Sequence, residues 1–343
     1  MIKPSTVSPK GFKKPQVSTL FGLVLGLCIL LICLVYSVTL GATDIPLGKI
    51  LTSFMAFDGS YEHLVIQTVR LPRSLIAIFV GGALAVSGAL MQGLTRNPLA
   101  DPGILGIESG AALAVVATIF VFGTSDLSVL TIVAFLGAGA TAMLVYFLGS
   151  LGRGGTTPLN LTIAGAALAA LISSLTTAIL IVSQRTLEEI RFWLAGSLAG
   201  RDVNMFLQAL PFIVIGLGVA FALGRQITTM SLGEDVARGL GQQTAWVKII
   251  TAISVVLLAG SSVSLAGPIG FIGLVVPHVV KFFIKADYRW ILPYSAVVGA
   301  TLLLVADIAA RVLLKPQELP VGVMTALVGA PFFVYLAKSK VKK

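Results

Sequence analysis

The chain alternates between long stretches free of charged residues and short segments that hold nearly all of its charge. Uncharged runs occupy 18–40, 74–95, 109–125, 127–152, 154–184, 203–224, 249–280, 290–306 and 319–337. About 20 predominantly apolar residues carry an α-helix across roughly 30 Å of hydrocarbon, so each run is long enough, or nearly so, to span a membrane. The run 249–280 would extend about 48 Å as one helix, and Gly267-Pro268-Ile269-Gly270 interrupts it near the middle. Reading it as two helices brings the count to about ten.

Both ends of the chain are basic, with Lys3, Lys10, Lys13 and Lys14 before the first run and Lys338, Lys340, Lys342 and Lys343 after the last. Lys and Arg gather on the cytoplasmic side of membrane proteins, which asks for both termini inside and for an even number of crossings. Ten spans satisfy this. In that orientation only Lys49, Arg70, Arg73, Arg185, Arg191, Arg201, Arg311 and Lys315, of 24 Lys and Arg, fall outside. The largest external loops are then 41–73 and 184–202. The organisation expected is a basic cytoplasmic segment 1–17, a single transmembrane domain 18–337 and a basic cytoplasmic tail 338–343. The first run is too long for a signal-peptide core and lacks a clear small-x-small cleavage site, so it reads as an uncleaved span.

Composition narrows the class. With 57% hydrophobic and 11% charged residues and a mean hydropathy of +1.00, the chain is far from the roughly 25% charged residues of soluble domains. A water-soluble fold is excluded, and the ten spans leave no room for a large soluble domain. The net charge of +10 sits in clusters between apolar runs, where it meets lipid headgroups, and no nucleic-acid-binding signature accompanies it. Cys28 and Cys33 lie five residues apart in the first run and share no helix face.

Helices in lipid associate through close packing, and small residues recur at helical spacing in Gly81, Ala85, Ala89 and Gly93, and again in Gly165, Ala169, Ser173 and Thr177. A small-residue helix followed by a Gly/Pro-rich break occurs twice, before Asn97-Pro98-Leu99-Ala100-Asp101-Pro102-Gly103 and before Pro268. The second copy enters from the opposite side, which suggests an inverted repeat of spans 2–5 and 7–10, a plan common in transporters.

Chemistry is sparse. The two histidines, His63 and His278, belong to no metal-binding motif, and no G-x-x-x-x-G-K-[ST] sequence occurs, so any ATP hydrolysis must come from another polypeptide. By this pattern Asp307 is the one ionisable residue well inside a span, with Arg311 at the i,i+4 spacing of a helical ion pair. Gln92, Thr95 and Asn97 fit equally a water-filled path or polar groups at a helix end. The cytoplasmic segment 231–241 reads as one short helix, with a Ser231–Glu234 capping box, Leu232, Val236 and Leu240 at i,i+4, and Gly239 and Gly241 to end it. Glu234 and Asp235 beside Arg238 suit a protein partner better than anionic headgroups, which favour a basic face.

Several stretches together resemble the permease subunits of ABC importers for ferric siderophores, haem and vitamin B12. They are Arg70-Leu71-Pro72-Arg73, the run from Gly88 through Gly103, segment 231–241, Ala266 to Gly273 with Pro277-His278, and Glu318-Leu319-Pro320-Val321-Gly322. They follow in order over about residues 65 to 337. The resemblance implies an all-α polytopic subunit of a bacterial cytoplasmic membrane. It further implies a second permease, identical or paralogous, a cytoplasmic ATPase pair that carries ATP and Mg, and an extracytoplasmic substrate-binding protein, with no cofactor on this chain and no chemistry in it. By the same resemblance Gly233, Glu234, Asp235, Val236, Ala237, Arg238 and Leu240 are coupling contacts to the ATPase. Arg70, Arg73 and Arg311 are outward arginines that meet acids on the binding protein. The inner gate falls near Thr156 and Thr157, although Pro158 and Leu159 stand where polar gate residues align. The expected function is uptake of a ferric siderophore by alternating access. An ion-coupled secondary transporter is the alternative from another class, weakened by the lack of a midplane charge network. An intramembrane enzyme lacks a catalytic constellation.

Overall fold

A computed structural model describes residues 16–41, 44–151, 157–284, 286–315 and 317–341. The segment 1–15, Thr156, Lys342 and Lys343 lie outside the described residues. The elements are α1 (Gln16–Thr39), α2 (Leu47–Met55), α3 (Tyr61–Val65), α4 (Leu71–Thr95), α5 (Ile107–Phe122), α6 (Leu127–Ser150), α7 (Pro158–Val182), α8 (Gln184–Leu194), α9 (Val203–Ala222), α10 (Gly224–Ser231), α11 (Glu234–Gly239), α12 (Thr244–Ala266), α13 (Ile272–Phe283), α14 (Tyr288–Val312) and α15 (Val321–Val341). A π-turn, Ile66–Arg70, joins α3 to α4, and a 3-10 turn, Pro102–Leu105, precedes α5. Helices α1, α4, α6, α7, α9, α12 and α14 are long and apolar enough to cross a membrane, while α5, α13 and Val321–Val334 of α15 are shorter apolar helices. These correspond to the nine runs, with 249–280 divided between α12 and α13.

The break at Gly267 falls where the sequence places it. Gly267 has φ +72°, and a Cβ there would overlap the Trp193 carbonyl. The break occupies residues 267–271, and α13 after it is only 12 residues long. The two halves repeat an order: a long helix (α4, α12), a break, a short helix (α5, α13) and two longer ones. Left-handed residues bracket both breaks, Arg96 and Gly106 in the first, Gly267 and Phe271 in the second.

Helix α4 is the axle of the bundle, buried along almost its whole length and packed against α14, α12, α13, α9 and α1. Its small residues make this possible. Gly81 and Ala85 meet Gly299 of α14, Gly88 receives the backbone of Gly273, and Gly93 faces Ile227 and Tyr288. The second small-residue stripe behaves differently. Gly165 packs on the Ile104 carbonyl, whereas Ser173 and Thr177 are exposed in the single chain.

A side chain at Gly88 would drive into Gly273 backbone, which cannot yield as a flexible side chain would. Gly88→Val is therefore expected to destabilise the bundle by about 1–3 kcal/mol or more, read as a lowered unfolding midpoint in detergent, with Gly218→Val, which meets open space, near neutral.

Candidate functional site

Segment 231–241, expected to couple to an ATPase, joins two short helices. Ser231 ends α10, its hydroxyl bonded to the Thr228 carbonyl at 2.7 Å, and Gly233 at φ +129° turns the chain into α11. The expected capping box does not form, because the Glu234 side chain is drawn elsewhere. Its carboxylate takes both Lys248 Nζ contacts at 2.8 Å, Arg238 Nη2 at 2.7 Å and Thr244 Oγ1 at 3.2 Å. The Lys248 ammonium holds the Glu234 carboxyl below its usual range, so this carboxylate stays charged at neutral pH and its bonds are lost only in acid. Hydrogen bonds to charged groups contribute roughly 1.5–3 kcal/mol, which makes this a firm tie between α11 and the second turn of α12.

The seven residues expected to contact an ATPase therefore divide. Gly233 and Ala237 are buried, and Glu234 faces inward. Asp235, Val236, Arg238 and Leu240 are exposed, joined by Leu232. Leu232, Val236 and Leu240 are 64%, 48% and 70% exposed, an apolar stripe on the cytoplasmic end of the bundle.

Deeper at this end, Gln92 is buried and fully engaged. Pro277 has no N–H to offer the Gly273 carbonyl, four residues earlier in α13. Gln92 Nε2 donates to that carbonyl at 3.3 Å and to that of Leu274 at 3.2 Å, while Lys281 Nζ donates to Gln92 Oε1 at 2.9 Å. Asn97 sits in an exposed turn, its Oδ1 accepting from Leu99 N at 3.0 Å. Thr157 caps α7, accepting from Asn160 N at 3.2 Å.

The outer end corrects the expectation of outward arginines: Arg70, Arg73 and Arg311 are all buried. The cause is the end of α1, whose last carbonyls have no helical partner. Arg70 Nη1 donates to Val38 and Thr39 carbonyls at 2.8 and 2.7 Å. Arg311 Nη1 donates to those of Ser37 and Leu40 at 3.0 and 2.9 Å, and its Nη2 to Ser37 Oγ at 2.7 Å. Arg73 spans Asp307 at 2.9 Å and Glu318 at 2.6 Å. Arg311 Nε lies 3.1 Å from Asp307 Oδ2 while donating to the Asp307 carbonyl at 3.3 Å. Three helix ends are thus locked around one fully buried carboxylate.

Sequence reading by uncharged runs passes over several residues. The third run starts at 109, yet α5 begins at Ile107, which places Glu108 in its first turn. Glu108 and Asp101 line a small enclosed space with Leu84, Val263, Ile269 and Gly273. Arg201, in the outer loop after α8, is buried with no hydrogen-bond or ion-pair partner for its Nε among the described residues. The pairings of Lys248 with Glu234 and of Glu318 with Arg73 leave no mark in the sequence, because the partners are not neighbours in it.

Comparison with known proteins agrees with this architecture. The profile of the FecCD transport family matches residues 29–339. The "Probable siderophore transport system permease protein YfiZ" of Bacillus subtilis is 48% identical over 322 residues, covering 92% of this chain and 97% of that one. The Fe(3+)-citrate import system permease protein YfmD of the same organism is 42% identical, covering 95% and 97%. The ferric enterobactin transport system permease protein FepD of Escherichia coli is 39% identical, covering 92% and 94%. A solved metal-chelate type ABC transporter in an inward-facing conformation superposes with a TM-score of 0.82 at 33% identity, covering 95% of this chain and all of that one.

Removing the Arg311 guanidinium strips the Ser37 and Leu40 carbonyls of their donor and leaves Asp307 with Arg73 alone. Arg311→Met is expected to cost about 3–5 kcal/mol, measured by thermal unfolding in detergent. Arg191→Met, on the exposed face of α8, serves as the near-neutral control.

Proposed function

This chain belongs to the FecCD transport family, and from that premise we propose that it is the membrane-spanning permease subunit of an ATP-binding-cassette importer, moving a ferric siderophore or related iron chelate inward. The observation that carries the reading is the exposed apolar trio Leu232, Val236 and Leu240, on α11 and the residues flanking it, with α11 tied to α12. Three large apolar side chains exposed together at the inner face, among the charges of Asp235 and Arg238, need a protein to cover them. A cytoplasmic ATPase pair, carrying ATP and Mg, is that partner. The relatives named for siderophore, ferric citrate and enterobactin transport favour an iron chelate over vitamin B12 or haem.

Helix α7 supplies half of the path. Its exposed surface has two characters: Leu171, Leu175 and Val182 form a lipid-like side, while Thr162, Ala166, Ala170, Ser173 and Thr177 form a side of small residues. Thr162 and Thr177 direct their hydroxyls to their own helix carbonyls at 2.8 Å, which leaves a smooth, weakly polar wall. A second permease subunit completes the pathway opposite this wall. Nucleotide binding closes the ATPase pair, α11 is displaced, and the two subunits reorient about the chelate. An extracytoplasmic binding protein delivers the chelate to the outer face. The buried arginines serve that face indirectly, by fixing the outer ends of α1, α4 and α14.

Reconstitution with the ATPase and binding protein in proteoliposomes tests the reading. Uptake of radiolabelled ferric citrate or a ferric hydroxamate is expected only with ATP, and ATP-independent uptake would overturn it. Leu240→Asp is expected to abolish co-purification of the ATPase while membrane insertion persists. Ala170→Trp is expected to block uptake with the ATPase still bound.

A further inference from the structure

We infer that Lys248 is the positioning residue through which movement of the coupling helix reaches α12. The inference rests on the importer reading above and adds to it the route of transmission. Helix α11 packs on α10 and α12. Toward α10 it is joined by the chain itself and by Gln242, which bonds the Ala237 carbonyl through its N–H at 3.0 Å and the Gln226 carbonyl through its side chain at 3.2 Å. The turn on that side, at Gly233, has the backbone freedom of a hinge. Toward α12 the tie is electrostatic, and Lys248 is its centre.

Lys248 reaches both Glu234 oxygens at 2.8 Å, and its side chain is only 17% exposed. Arg238 and Thr244 complete the group, Arg238 Nε donating to Thr244 Oγ1 at 3.3 Å. An ammonium held on two oxygens resists displacement along the helix as well as away from it, so α12 must follow α11. The stem of Lys248 passes a small apolar space walled by Met91, Leu94, Tyr146, Leu161 and Ala252, so the residue stands where α4, α6, α7 and α12 converge. From there α12 runs without interruption to Ala266, whose carbonyl accepts Ser197 N at 2.8 Å beside the break loop. A displacement entering at Lys248 thus arrives at the loop that starts α13.

Lys248 lies off the exposed stripe, so its loss separates docking from transmission. The test uses the full importer in proteoliposomes, with whichever of ferric citrate and a ferric hydroxamate the wild-type complex transports faster. Chelate transported per ATP hydrolysed is measured beside co-purification of the ATPase. Lys248→Met is expected to keep the ATPase bound and to lower transport per ATP by roughly tenfold, the factor one charge-assisted hydrogen bond carries. Lys248→Arg is expected to recover most of it. Should Lys248→Met fail to assemble, the exchange Glu234→Lys with Lys248→Glu decides, since it restores the attraction with its sign reversed. Recovery of coupling above that of Lys248→Glu alone supports the inference. An unchanged ratio in Lys248→Met, or an exchange no better than the single variant, overturns it. Failure of the wild-type chain to bind an ATPase at all would instead strike the importer reading.

Discussion

A peptide carbonyl or amide that leaves its helix inside hydrocarbon has no water to turn to, and at three interruptions of this bundle another group takes over the bond. Where α1 stops, Arg70 and Arg311 receive its final carbonyls. Where Pro277 frees a carbonyl of α13, Gln92 donates to it. Where α12 gives way to the break loop, Ser197 N binds the Ala266 carbonyl, and nearby Gly322 N binds that of Gly196. Each of these donors comes from a different part of the chain. The breaks are therefore also the places where separate helices are fastened together, and the fold cannot lose one without loosening another.

The same constraint explains how the charges are spent. Asp307 is fully buried yet held between two arginines, of which Arg311 also donates to backbone carbonyls and Arg73 also holds Glu318. A buried ion pair of this kind adds little stability over a well-packed apolar pair, but breaking one partner is costly. Its use here is to set register: it allows the outer ends of α1, α4 and α14 only one arrangement. At the inner end, Glu234 and Lys248 do the equivalent for α11 and α12, at the edge of water, where the tie bears on movement.

The spans and their number were legible because hydrophobic length is a local property, and Gly267-Pro268 marked its break with residue types that have no other reason to be adjacent. The repeat was legible in outline, through the paired breaks, and the structure adds the left-handed residues that bracket them. What escaped depended on partners far apart in sequence. Arg70, Arg73 and Arg311 read as outward because the family resemblance aligns them with outward arginines, while the carbonyls and Asp307 that bury them lie up to 274 residues away. Ser231 and Glu234 had the spacing of a capping box, but Lys248, 14 residues on, competes for the carboxylate and wins with two bonds against one. Glu108 was lost to the rule that a span begins after its last charge.

The small-residue side of α7 has a consequence for what the protein can discriminate. As the pathway wall proposed above, its alanines and the threonine hydroxyls bonded to their own helix offer a passing chelate no well to fall into, and so no means of telling one ligand shell from another beyond girth. Recognition must then be completed before the cargo arrives, by whatever hands it over. The bore of the pair sets an upper limit on size, and the range of chelates accepted can widen or shift without a single change in this chain.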